Sequence, residues 1–245
     1  IQQEEDIGDG ESELIQVGVS RNTGWLGWRR SVYLNYELEQ SFFTSEQRTG
    51  LLIPGVTLSR VHQGETADQG FYIRRGWRLT LDLHGAHESV ASDASFIQGS
   101  IGARGILPLG QRMRFLTRFD VGATEVDATA ELPASQRFFA GGDHSVRGYG
   151  FRDLGPRDGN DRVVGGRYLA TASAELDFRF LDKWLAAVFI DAGDADDDTT
   201  FNVNRGVGAG IRWISPVGMI RLDLAHPLDD PDTNVRVHFS IGTDL

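Results

Sequence analysis

The stretch "FFAGGDHSVRGYGF", which begins at Phe138, sets a single arginine among glycines and aromatic residues. Arg147 precedes Gly148 and Tyr149, so the backbone can turn tightly there while the guanidinium projects as a planar fork of donors suited to carboxylates. Further along, Glu175 and Asp191 occupy the polar faces of two alternating segments, with Phe189 two residues before Asp191. The chemistry on offer is noncovalent. A dehydrated bidentate pair between Arg147 and those carboxylates would exceed the 0 to about 1 kcal/mol of a surface ion pair. The residues alone leave two readings open, a solvent-exposed loop arginine and an internal tether.

Covalent and metal chemistry find less support. The acidic run "DAGDADDD" (Asp191 to Asp198) lacks the sixth-position glycine and twelfth-position glutamate of a calcium loop, and reads as a solvated loop. Six histidines are scattered, and His84 with His87 is the one close pair, so no metal cage is expected. The serines near His144 and His238 have no nucleophile-elbow context, and "GVGAG" (Gly206 to Gly210) lies inside an alternating segment where a phosphate cradle would not form. Neither an enzyme nor a bound cofactor is expected. Zero cysteines exclude a disulfide framework, and a net charge of -11 argues against a nucleic-acid partner.

The elements that must position Arg147 are strands. In Ala170 to Phe180, the residues Ala170, Ala172, Ala174, Leu176, Phe178 and Phe180 share one face against Thr171, Ser173, Glu175, Asp177 and Arg179. Trp77 to His84 repeats the pattern. Further strands are expected at Leu14 to Arg21, Val32 to Leu38, Ile53 to Val61, Phe96 to Ile106, Met113 to Gly122, Trp184 to Gly193, Arg205 to Ile214, Met219 to His226 and Asn234 to Gly242, eleven in all with no helix. Their links alternate between short turns such as "PLGQ" and long polar loops, of which the longest runs about 123–167. The link from Gln63 to Arg74 breaks the alternation, being long where a short turn is due.

Apolar alternation alone fits a soluble sandwich as well as a membrane barrel. The sidedness of the loops, the tryptophans near strand ends and the mixed charges of the polar faces favour an antiparallel up-and-down transmembrane β-barrel. No apolar run exceeds seven residues, whereas a spanning helix needs about 20. Hydropathy does not register barrel strands, which need only about 9–11 residues each. The acidic N-terminal "IQQEEDIGDG" has neither the basic nor the apolar region of a signal peptide. An odd strand count is at variance with a closed bacterial barrel, so upstream strands are expected to be missing from this sequence.

The segment Arg137 to Pro156 resembles the long sixth extracellular loop of the TamA/BamA superfamily of outer-membrane assembly and translocation barrels. It carries the family's signature as Val146, Arg147, Gly148 and Tyr149. "FFAGGDHSVRGY", "AVFIDAGDA" (Ala187 to Ala195) and the terminal "FSIGTDL" are similar to the TamA branch. The resemblance implies that the loop folds into the lumen, where Glu175, Asp191 and Phe189 become the partners of Arg147. It implies residues 1–245 as the C-terminal part of a barrel of about sixteen strands, without the upstream strands and the periplasmic POTRA domains. It implies a seam strand whose Val235, Val237, Phe239 and Ile241 share one face. The implied partners are outer-membrane lipids, unfolded β-barrel clients such as autotransporters, and a TamB-like periplasmic protein reached through the POTRA region. A two-partner secretion pore and a passive porin are the alternatives.

Overall fold

A computed structural model of the chain describes residues 2–7, 10–41, 47–64, 66–67, 72–127, 132–230 and 234–245. The strands are β1 (Gln2–Ile7), β2 (Gly10–Trp25), β3 (Trp28–Ser41), β4 (Gln47–Gln63), β5 (Thr66–Ala67), β6 (Tyr72–Ile73), β7 (Gly76–Ala86), β8 (Phe96–Leu109), β9 (Met113–Val126), β10 (Tyr168–Leu181), β11 (Trp184–Asp196), β12 (Asn204–Ser215), β13 (Gly218–Pro227) and β14 (Arg236–Gly242). Twelve of them form one antiparallel meander in the order β1-β2-β3-β4-β7-β8-β9-β10-β11-β12-β13-β14, while β5 and β6 pair separately. All eleven strands expected from alternation are present. The twelfth is β1, an acid-rich segment without alternation, held by its register with β2 from Gln2↔Ile15 to Ile7↔Gly10.

Period two decides the two faces. In β11, Leu185, Ala187, Phe189 and Asp191 are buried while Trp184, Ala186, Val188 and Ile190 are exposed. The distribution is inverted relative to a water-soluble domain: Val17, Val188 and Phe239 stand 56–67% exposed on the outer wall, and Asp177, Asp191 and Arg212 are wholly buried on the inner one. An apolar outer wall around charged inner positions is what a lipid-facing barrel requires. All five tryptophans, Trp25, Trp28, Trp77, Trp184 and Trp213, lie at the short-turn ends of their strands, where an interfacial girdle belongs. The sheet curls enough for Arg114 of β9 to meet Asp244 beyond β14.

Two departures from the sequence expectations shape the lumen. The overlong link after β4 does not hang free. Gly64 N–H donates to the Arg75 carbonyl at 2.8 Å, and the described residues Tyr72 and Ile73 lie at the short-turn end of the lumen. There Tyr72 packs on Leu185, Ile214 and Met219, and Ile73 packs on Ile106 and Leu245. The long loop is narrower than expected, because Ala123 to Val126 stay in register with Gly99 to Phe96 and extend β9. Likewise β11 runs on to Asp196, so the acidic run expected as a solvated loop begins inside a strand.

Candidate functional site in the lumen

Residues 132–167 fold back between the walls and pair with themselves at Phe138↔Gly166, Ala140↔Leu154 and Arg157↔Val163. One end of this loop rests on the β3 wall. The Glu39 carboxylate accepts from the backbone N–H groups of Ala134 (3.2 Å) and Ser135 (3.1 Å), and Glu37 accepts from the Gln136 amide at 2.7 Å. Those acceptors satisfy amides that open a short 3-10 turn, Ala134–Gln136. The signature segment lies across the lumen against β10 to β13. Val146 and Tyr149 are buried with Ala140, Leu154 and Ala195.

Arg147 uses its whole fork. Nε and Nη2 donate to the two oxygens of Asp191 at 2.7 and 3.0 Å, Nη1 donates to Glu175 at 2.8 Å and to Asp223 at 3.1 Å, and its backbone N–H adds a 3.0 Å bond to Asp191. The guanidinium lies over the Phe189 ring, 3.3 Å from its centroid. Burial opposes the charge, and Asp191 followed by Glu175 outweighs it, holding the guanidinium above its ordinary pKa. Arg212 closes the cluster from β12, donating to Glu175 at 3.0 Å and to Asp223 at 2.5 Å. Ser173 donates to Asp191 at 2.6 Å. The result is a buried, fully hydrogen-bonded network in which two arginines share three carboxylates, the form in which buried charge is tolerated.

Backbone clearance makes this approach possible. Gly148 has φ +102°, and a Cβ there would lie 2.9 Å from the Pro227 nitrogen. On the facing strand a Cβ at Gly206 would meet the Arg147 carbonyl oxygen at 1.9 Å, so this glycine of β12 lets the loop backbone approach, while Gly208 leaves room for the Phe189 ring and Gly210 for Asp223 and Arg212. The other side of Gly148 is held by the last strand: its N–H donates to His238 Nε2 at 3.0 Å, while His238 Nδ1 sits 2.5 Å from Asp143. The seam positions Val235, Val237, Phe239 and Ile241 all face outward and are exposed.

The structure thus gathers Arg147, Glu175, Asp191 and Phe189 in one place and sets the seam residues apart on the outer wall. Asp223, Arg212, Ser173 and His238 were absent from the sequence reading of this cluster. Asp223 and Arg212 carried a usable signal, since each is a charged residue at an inner position of an alternating strand, two strands or fewer from Asp191.

A second buried arginine went unread. Arg114 of β9 donates to Asp177 at 2.7 and 2.9 Å, to Asp244 at 2.6 Å and to the Ile73 carbonyl at 2.8 Å, with its guanidinium 4.6 Å from the centre of the Tyr72 ring. Asp244 also pairs with Arg221. This cluster ties the hairpin β5–β6 and the C-terminal residues to the inner wall. Among the described residues, no group of three or more His, Cys, Asp or Glu side chains is arranged to hold a metal ion.

Comparison with known proteins agrees with this geometry. The chain is 29% identical over 250 residues to the outer membrane protein assembly factor BamA of Nitratidesulfovibrio vulgaris, covering 96% of this chain and 31% of that protein. It is 28% identical over 176 residues to the protein of the same name from Neisseria meningitidis serogroup B, covering 56% of this chain and 22% of that one. The chain therefore spans about a third or less of the length of these curated relatives. The crystal structure of BamA from Haemophilus ducreyi lacking POTRA domains 1-3 superposes with a TM-score of 0.77 at 16% identity, over 96% of this chain and 55% of that one, which speaks for the fold. The family model described as the Omp85 superfamily domain matches residues 58–245, a span that holds the buried Arg114, Arg147 and Arg212, the lumen loop and the last strand. With its lipid-facing wall and arginine-bearing loop, this outer-membrane β-barrel chain belongs to the Omp85 superfamily.

Proposed function

We propose that the chain is the C-terminal part of the barrel of an outer-membrane protein assembly or translocation factor, which helps insert or secrete β-barrel clients without covalent catalysis. The observation that carries this reading is the Arg147 network. A signature loop bound in the lumen to β10, β11 and β13, and through Gly148 to the last strand, couples the barrel interior to the strand where a client would add. Strand β14 pairs over only seven residues with β13, from Met219↔Gly242 to Ala225↔Arg236. A last strand held by so short a ladder is suited to templated addition of a client strand by main-chain hydrogen bonds.

The finer reading is TamA-like, with autotransporters among the clients and a TamB-like periplasmic partner reached through POTRA domains. It rests on "FFAGGDHSVRGY", "AVFIDAGDA" and "FSIGTDL". The names of the two BamA relatives favour a second reading, general barrel assembly. Vesicles containing the full protein should speed insertion of an unfolded barrel client, read by heat-modifiable gel mobility, and an autotransporter should gain more than a porin. Equal gains would favour the BamA-like role. No gain over empty vesicles, together with steady single-channel conductance, would leave a passive pore.

A further inference from the structure

The outer wall carries arginines that the lumen networks do not use. Arg21 of β2, Arg30 of β3 and Arg60 of β4 all point outward, as their registers show. Arg21 lies opposite Val32, Arg30 lies opposite both Thr23 and Leu58, and Arg60 lies two residues beyond Leu58. All three are exposed. Each is a diagonal neighbour of the next, roughly 7–8 Å apart at the backbone. Like charges on such diagonals repel, and a bare cation on a lipid-facing strand is costly unless it reaches an anion at the interface.

Among the described residues, no carboxylate pairs with any of the three. Arg30 Nε donates to the Thr23 hydroxyl at 3.2 Å, and the Arg60 guanidinium lies 5.8 Å from the Trp77 ring centroid. The Arg147 and Arg114 guanidiniums, by contrast, are saturated with carboxylates. Height along the barrel is the second observation. The apolar band on these strands ends at the arginines: Val17 and Val19 precede Arg21, Leu34 and Val32 precede Arg30 on the way to the short turn, and Val56 and Leu58 precede Arg60. Trp25, Trp28 and Trp77 stand at the same end. The level is that of lipid headgroups on the short-turn side. At the same end of β10 to β13 the outward strand positions are Phe178, Phe180, Trp184, Trp213 and Ile220, all apolar or aromatic, with Lys183 beyond them in the β10–β11 turn.

We propose that Arg21, Arg30 and Arg60, flanked by Trp25, Trp28 and Trp77, form a binding site for the phosphate of an anionic phospholipid in the periplasmic leaflet. Assignment of the short turns to the periplasm rests on the outer-membrane barrel reading. Two guanidiniums one diagonal apart can share one phosphodiester, each as a bidentate donor, and the tryptophans wedge the glycerol region beside it. The site would fasten the β2–β4 side of the barrel to lipid while leaving the β10–β13 side to slide.

The test uses the full protein with every tryptophan other than Trp25, Trp28 and Trp77 replaced by phenylalanine, Trp184 and Trp213 among them, so that the three tryptophans beside the site report. The protein is placed in phosphatidylcholine bilayers holding a minor fraction of brominated-chain phosphatidylglycerol or, separately, of brominated-chain phosphatidylcholine. Quenching should favour phosphatidylglycerol by about fivefold or more in apparent affinity. The Arg21→Gln, Arg30→Gln and Arg60→Gln triple variant should abolish that preference, and the corresponding lysine variant should keep part of it. Equal quenching by both lipids in the parent protein, a preference that survives the glutamine variant, or displacement by inorganic phosphate would each overturn the proposal. If the glutamine variant does not reach its heat-modifiable folded form, the two-lipid comparison on the parent protein decides. Client insertion is scored in parallel, and its failure leaves the lipid preference intact.

Discussion

Arg147 and Arg114 grip the same strand one inner step apart, at Glu175 and Asp177 of β10, yet they reach it from opposite ends of the barrel. Arg147 descends on an irregular loop and meets three carboxylates whose oxygens all find donors. Arg114 stays within a regular strand, and its cluster leaves the buried Asp177 Oδ1 without a partner among the described residues. The loop and the turn end are therefore each tied to the inner wall, by a saturated carboxylate cluster around Arg147 and by a less satisfied one around Arg114. A fully satisfied buried network resists local opening, whereas a partly satisfied one yields first.

The largest effect should come from Arg147→Ala. It leaves Glu175 and Asp223 to Arg212 and Asp191 to the Ser173 hydroxyl in a buried cluster, at a cost of about 3–5 kcal/mol in denaturant unfolding. Arg147→Lys should recover little, because an ammonium cannot span both oxygens of Asp191 while also reaching Glu175. Arg114→Ala should cost less, about 2–3 kcal/mol, and should free the C-terminal residues. A Leu245→Cys reporter would then label with a bulky maleimide in the Arg114 variant and stay protected in the Arg147 variant. If both variants lost equal stability and exposed the same reporter, the distinction between the two clusters would be wrong.

Smaller changes sharpen the comparison. Gly148→Ala forces a side chain onto φ +102° against Pro227 and should cost about 1–3 kcal/mol, with client insertion falling alongside. His238→Ala removes one acceptor and should cost about 1 kcal/mol. Its signature would be faster hydrogen exchange at the Gly148 amide, with the Asp191 pair undisturbed.

Much of this architecture was readable in advance, for a local reason. Alternation in Ala170 to Phe180 places Glu175 on the inner face whatever the rest of the chain does, because successive side chains of a strand must point to opposite sides. Strand ends were read less well. Ala123 to Val126 contain a glutamate and a threonine that suit a loop, and the β8 ladder keeps them extended, helped by Tyr168 opposite Ala123 and by the Thr124 N–H on the Arg167 carbonyl. The acid-rich β1 is likewise a strand through its pairing and not through its pattern. Arg147 stood out because an arginine beside glycines in a long irregular link is anomalous, and the family resemblance chose between its two readings. Arg114 sits in "QRMRFLTR" with nothing local to distinguish it.

The amino-acid sequence by itself determined eleven of the twelve strands of the meander, which side chains of each share a face, and which strand ends carry the tryptophans, since all three follow from period two and from the position of turns. The tertiary structure alone decided that Asp223 and Arg212 complete the Arg147 cluster, that Tyr72 and Ile73 tuck under the turn end, and that Asp244 reaches Arg114 across 130 residues of sequence. Those meetings depend on sheet curvature and strand stagger, properties of twelve strands together that no single segment encodes.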